Sequence, residues 1–298
     1  MKNKKRNKVI TFSLLGVFAL ISFIIVSIFD LKISKQFNTI NNYFTVGFDF
    51  FGSNITTIVS YILIGNFLNY FVINRQSLFS YRAGMITFTI LGSGILFMIF
   101  YFFRGTSRGL EIKNLMDQSS LIFGIPMIAA TIIYALVIIF NCHYSKLIFA
   151  KYLSLMSAYG VMMILFAAIT TFLLKEVVGR PRPREILGTG NENVLFRYPF
   201  QITFSGFRGS SFPSGHTNAA CTMFVFVYFC SGRKKSHFIV TSLFVGGFVA
   251  ATAVARILIH AHGTTDTMFA IIINFIGFFT APLIVIRMNR PRRRVVIN

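Results

Sequence analysis

LSLMSAYGVMMILFAAITTFLL, residues 153–174, contains no charged side chain, and KEVVGRPRP, residues 175–183, follows it directly. At about 1.5 Å per residue the first piece is long enough to cross a hydrocarbon layer about 30 Å thick as a helix. The second piece opens with a cation and then alternates arginine with proline. Proline lacks an N–H, fixes its own φ and drives the preceding residue toward an extended conformation. The spacing therefore predicts a membrane helix that ends near Lys175 and leaves the bilayer as a stiff, cationic, extended strand.

Outward from that stretch, seven further apolar runs qualify: 9–29, 55–73, 83–103, 121–140, 217–229, 238–254 and 267–286. The run at 217–229 is short, and it is expected to recruit residues before it, which places 213–216 at its mouth. The chain is 55% hydrophobic and 12% charged, against about 25% charged for soluble domains. The predicted class is all-α: a polytopic membrane helical bundle of about eight transmembrane helices. Residues 1–29 have the basic start of a secretory signal. Their apolar run is too long and no small-x-small site follows, so they are expected to form a retained helix.

The net charge of +21 first suggests nucleic acid, but its distribution argues against that. With a cytoplasmic N-terminus, 17 of the 29 Lys and Arg fall on the cytoplasmic side and all eight acids on the other. That is the positive-inside pattern. The basic runs 2–8 and 287–294 then read as topology anchors, with anionic lipid headgroups as a sharper alternative. No aromatic residues interleave with them as nucleic-acid binding would require. Both termini are expected in the cytoplasm, and segments 175–216 and 255–266 outside it. Abundant Ile, Phe, Asn and Lys with no Trp point to an AT-rich bacterial genome, so the expected location is a bacterial cytoplasmic membrane. Cys142, Cys221 and Cys230 lack metal-ligand spacing, so neither a disulfide nor a zinc site is expected.

Three motifs carry the chemistry: Lys175-x6-Arg182-Pro183, Pro213-Ser214-Gly215-His216 and Arg256-x5-His262-x3-Asp266. The first two share one loop. Two helices separate them from the third, and an even number of crossings returns the chain to the same face. Arg182 and Arg256 offer planar forks for phosphate oxygens, and Lys175 adds a point charge. Ser214 is a good N-cap, and Gly215 lets a ligand approach helix amides that favour an anion. His216 is placed as a general acid. Asp266 is expected in the first turn of the last helix, its carboxylate reaching one imidazole nitrogen of His262. That contact would fix the tautomer and free the other nitrogen to attack phosphorus.

Other residues of the right type fit less well. Arg180 and Arg184 flank the first motif and read as extra cations. His260 has the wrong spacing to Asp266 for a nucleophile, and His143 and His237 fall on the cytoplasmic side. Asp30, Asp49, Glu111, Asp117, Glu176, Glu185 and Glu192 are dispersed in sequence, which disfavours a two-metal site; no metal and no cofactor are expected. Phe196, Tyr198, Phe200, Phe204, Phe207 and Phe212 read first as an interfacial aromatic belt, and second as a wall guiding lipid tails.

These motifs resemble those of the type 2 phosphatidic acid phosphatase (PAP2) and vanadium haloperoxidase superfamily, which run K-x6-R-P, P-S-G-H and S-R-x5-H-x3-D. The match is complete except that Ala255 stands where the family has serine, which removes one hydroxyl near the phosphate. The resemblance implies metal-independent dephosphorylation through a phosphohistidine at His262, with His216 as acid and Asp266 as orienter. It implies Lys175, Arg182, Ser214, Gly215 and Arg256 as the phosphate cradle. It also implies a six-helix PAP2-type core over 83–290, which leaves 1–82 as a two-helix addition and 291–298 as a basic cytoplasmic tail.

The expectation is a membrane lipid phosphatase with an extracytoplasmic active site. Its partners would be a lipid phosphate and the bilayer, without nucleic acid or an obligate protein partner. Phosphatidate, phosphatidylglycerol phosphate, polyprenyl diphosphate and lipid A phosphate are all candidate substrates. A lipid phosphotransferase, or a non-catalytic lipid transporter that keeps the pocket, are the alternatives.

Overall fold

A computed structural model of the chain describes residues 20–37, 42–74, 147–199, 201–202, 211–230 and 234–288. Every regular element among them is helical. In order they are α1 (20–36), α2 (Tyr43–Asn74), α3 (Leu147–Val178), the short α4 (Pro183–Ile186) and α5 (Glu192–Leu195), and α6 (Gly215–Cys221). A 3₁₀ turn (Thr222–Phe224) leads to α7 (Val225–Phe229), and then follow α8 (Lys235–Leu258) and α9 (Thr264–Met288).

Four of these helices, α2, α3, α8 and α9, supply stretches long and apolar enough to cross a membrane. Their outward faces keep large apolar side chains uncovered, with Leu243 71% and Leu283 69% exposed, as lipid-facing surfaces do. The chain is thus a helical membrane protein. About eight spans are expected from sequence. The runs at 83–103 and 121–140 lie outside the described residues, as do the 82/83 boundary, Cys142, His143, Phe200, Phe204 and Phe207. The short run at 217–229 does recruit residues before it, since α6 opens at Gly215. It is then interrupted by the 3₁₀ turn, and from Gly215 to Phe229 it remains shorter than the roughly 20 residues of a full span.

The chain divides into two compact units. One comprises Phe50–Phe166, Thr222–Gly247 and Ile276–Asn298. Its helices meet through small residues, as membrane helices commonly do. A Cβ on Gly160 would lie 2.7 Å from a Val225 methyl and 3.1 Å from Leu63 Cδ1, so glycine lets α3 approach these neighbours. Asn66 Nδ2 donates to Ser157 Oγ at 3.1 Å in the same layer.

Pro282 lies inside α9 and offers no N–H to the carbonyl of Phe278, four residues earlier. The Tyr228 hydroxyl donates to that carbonyl at 2.5 Å, with the Tyr228 ring stacked on Phe278 at 4.4 Å. An unpaired carbonyl in an apolar interior costs about 1–3 kcal/mol. Tyr228→Phe is therefore expected to lower the Tm in detergent by several degrees, and Pro282→Ala should remove most of that cost by restoring the helix N–H. An equal loss in both backgrounds would disprove this account.

The other unit comprises Met1–Asp49, Ala167–Cys221 and Phe248–Phe275. It contains all three motifs.

Candidate active site

Gly179, at φ +55°, ends α3 in the left-handed region, and its N–H returns to the Lys175 carbonyl at 3.3 Å. The helix thus runs one turn further than Lys175. Arg182 is extended at φ −77° and ψ 146°, as a residue before proline should be. Its N–H donates to Glu185 Oε2 at 2.9 Å. Arg182 and Lys175 stand near enough to repel one another.

The second motif caps a helix as expected. The Ser214 hydroxyl accepts from the Thr217 N–H at 3.3 Å and from the Thr217 hydroxyl at 3.0 Å. Ser214 is fully buried, and its N–H donates to the Asp266 carbonyl at 3.0 Å, which ties this motif to α9. The Phe212–Pro213 peptide bond is cis. A Cβ on Gly215 would meet only Lys175 Nζ, at 3.9 Å, so the lysine reaches the opening of α6.

The third motif turns on the end of α8. The Ala261 N–H donates to the Arg256 carbonyl at 3.1 Å and the His260 N–H to the Ile257 carbonyl at 2.9 Å. With His260 at φ +51°, this is a Schellman cap, the motif that normally takes glycine at this position. His260 is thus a capping residue whose carbonyl accepts from the Arg184 N–H at 2.9 Å. The left-handed region costs a residue with a Cβ about 1–2 kcal/mol. His260→Gly should keep turnover within about twofold and hold or raise the Tm, whereas His260→Val should lower the Tm. Loss of turnover in a folded His260→Gly protein would return this histidine to the list of reacting groups.

The tight cap turns the chain so that the His262 N–H also reaches the Arg256 carbonyl, at 3.3 Å. The closest partner of its Nδ1 is the Ser211 carbonyl at 2.7 Å, and Asp266 Oδ2 is 3.8 Å away. The expected reach of Asp266 to an imidazole nitrogen is thus present at ion-pair distance, longer than a hydrogen bond, with the Ser211 carbonyl as the nearer partner. A carbonyl only accepts, so Nδ1 carries the proton and Nε2 the lone pair. Asp266 acts one step back, where its Oδ2 accepts from the Ser211 hydroxyl at 2.5 Å and from the Gly263 N–H at 2.8 Å. It sits in the first turn of α9, as expected, and reaches back to the residue before the helix as the acid of a capping box does. Burial pushes the His262 imidazole down to about 3, so it is neutral at neutral pH.

Three residues that are not motif positions, Asp30, Arg180 and Ser211, complete this frame. Gly263 precedes α9 and has no side chain to cap it. The cap comes from α1: Asp30 Oδ1 accepts from the Thr264 N–H at 2.7 Å, and Oδ2 from the Thr265 hydroxyl at 2.5 Å. A Cβ on residue 263 would lie 2.5 Å from Asp30 Oδ2, so glycine makes room for this carboxylate. Arg180 joins the two acids, donating through Nη2 to Asp30 at 2.7 Å and through Nη1 to Asp266 at 2.5 Å. Phe196 covers its guanidinium at 4.8 Å, so one ring of the expected aromatic belt serves the site instead. Ser211 is the third, through the carbonyl and hydroxyl described above.

Facing His262, the His216 ring lies 6.5 Å away between centroids, close enough for both to serve one phosphate. Arg256 is buried at 3% exposure. Its Nη1 contacts Asp49 Oδ1, which also lies 3.2 Å from His216 Nε2. The buried Nε of Arg256 has no hydrogen-bond partner among the described residues. Ala255, in the position of the family's serine, is fully buried. No group of three or more His, Cys, Asp or Glu among the described residues is arranged to hold a metal ion. Cys221 and Cys230 are free thiols.

The structure therefore gathers cations from the ends of α3 and α8, the opening of α6, and two imidazoles in one unit. A family model, the PAP2 superfamily, matches residues 151–293. No curated protein matches the chain, and no solved structure does. Membership supports phosphatase chemistry and covers all three motifs, while α1 and α2 lie before the matched region. Through residues 151–293, this membrane protein belongs to the PAP2 superfamily.

Proposed function

We propose that the protein is a lipid phosphatase that hydrolyses a phosphomonoester or diphosphate of a membrane lipid on the extracytoplasmic face. The carrying observation is the pairing of a neutral, tautomer-fixed His262 with a cationic cradle at the ends of apolar helices. His262 Nε2 attacks phosphorus, and the P–O bond to the lipid breaks. His216 delivers a proton to the departing oxygen. Lys175, Arg182 and Arg256 hold the phosphoryl oxygens, with Ser214 and Gly215 shaping the opening of α6. Asp266 stands 3.8 Å from the His262 ring, where it offsets the positive charge of the phosphohistidine. Water then attacks phosphorus and gives a proton back to His216 as the N–P bond breaks, releasing inorganic phosphate and restoring both histidines.

The test is phosphate release in detergent from phosphatidate, phosphatidylglycerol phosphate, polyprenyl diphosphate and lipid A phosphate, with EDTA present. Release that survives EDTA supports the reading and begins to name the lipid. Activity that EDTA abolishes and a divalent metal restores would overturn the metal-free mechanism. No release from any of these lipids by folded protein would favour a phosphotransferase or a binding protein.

A further inference from the structure

We propose that Asp49 is an anion built into the phosphate cradle, which holds Arg256 and His216 in the resting site and must yield them to the substrate's phosphate. It comes from α2, before the family-matched segment, and belongs to the same compact unit as the motifs. It lies in an apolar stretch fit to span a membrane, yet is only 6% exposed. An acid placed there is costly and is expected to have a function and a partner.

Its partners are the groups a phosphate would use. One Asp49 oxygen contacts Arg256 Nη1 and stands 3.2 Å from His216 Nε2. A carboxylate and a phosphate cannot share these donors without a like-charge contact, which is strongly unfavourable in a buried site. Asp49 also leaves the cradle incompletely satisfied, because the buried Nε of Arg256 finds no partner among the described residues. A phosphate, with more oxygens, would use this donor together with those Asp49 gives up. Displacement of Asp49 is thus possible but opposed. Its return after hydrolysis competes with the product and drives inorganic phosphate out.

Asp49 is accordingly a positioning residue with a definite sign. Removing its charge strengthens anion binding, whereas removing an ordinary structural contact would weaken it. The variant is Asp49→Asn, which keeps the shape and one acceptor for Arg256, with Asp49→Ser as a second. The first readout is equilibrium binding of orthovanadate and inorganic phosphate to purified protein, which needs no lipid turnover. Both anions should bind about tenfold more tightly to Asp49→Asn. The second readout is KM against kcat, with phosphatidate in mixed micelles and with the soluble monoester p-nitrophenyl phosphate. KM and the Ki for phosphate should fall together on both substrates, and kcat should not rise. A gain confined to the lipid would place the effect at the acyl chains and overturn the proposal. Unchanged or weaker anion binding by folded Asp49→Asn and Asp49→Ser would also overturn it. The proposal rests on the phosphatase reading, yet the two fail separately: tighter vanadate binding without turnover would sink that reading and leave the internal anion standing.

Discussion

Replacing His262 by alanine is expected to abolish phosphate release while the protein remains folded in detergent. The fall should be at least about a thousandfold, on the scale of removing a nucleophile that works as a unit with its acid. The variant loses one hydrogen bond to the Ser211 carbonyl, worth about 1 kcal/mol, so a modest drop in Tm is consistent and unfolding is not. Turnover near wild type would remove His262 from the nucleophile's role. The pH dependence offers a separate check. The folded imidazole titrates at about 3, while an unfolded one titrates near 6.5. The unfolded chain therefore binds this proton first as pH falls. The contribution of His262 to stability is fully present above about pH 6.5 and is lost progressively toward pH 3, by at most about 1.4 kcal/mol per pH unit. His262→Asn should flatten the decline in Tm between pH 7 and pH 5. Turnover itself should show no loss with an apparent pKa near 6.5 that is attributable to the nucleophile.

The division between what the sequence discloses and what it hides follows sequence separation. Ser214 as a cap, the extended Arg182 and the placement of Asp266 in the first turn of α9 are local consequences of residue type, and the structure agrees with each. The convergence of three motifs on one unit was legible from counting membrane crossings. The supporting shell was not. Asp30 lies 150 residues from Arg180 and 234 from Thr264, and no spacing rule connects them. Dispersal in sequence argues against a metal cluster but gives Asp30 and Asp49 no role, and both fold into the site. The available signal is physical: an acid at the edge of an apolar run needs a buried partner, and Arg180, read as an extra phosphate cation, serves as that partner instead. The bond from His262 Nδ1 to the Ser211 carbonyl has no signal in the sequence, since any residue supplies a backbone carbonyl. Asp266 fits the spacing of a direct partner, and only the geometry shows it acting through Ser211.

Arg180→Ala is the second substitution expected to have a large effect, and it reaches the active site without touching substrate. Arg180 is 2% exposed, and its guanidinium lies between Asp30 and Asp266, both at 0%. Removing it leaves two carboxylates buried without their shared cation, and breaking a buried ion pair in this way costs about 3–5 kcal/mol. That is a large part of a typical domain's margin of about 5–15 kcal/mol, so Arg180→Ala should sharply lower the yield of folded protein. Arg180→Gln with Asp30→Asn makes the measurement tractable, because the pair removes both charges and keeps the volumes. The double variant should be more stable than the sum of the single losses implies, by about 1–3 kcal/mol of coupling. Additive losses would mean that the two side chains do not support one another. Turnover separates support from chemistry. Asp30 caps α9 through the Thr264 N–H at 2.7 Å, and α9 carries Asp266, which in turn fixes Ser211 and so His262. Asp30→Asn should therefore lower kcat while KM changes little, because the cradle cations do not depend on this cap. The opposite pattern, a raised KM with kcat intact, would place Asp30 on the binding side and break the proposed chain from α1 to the nucleophile.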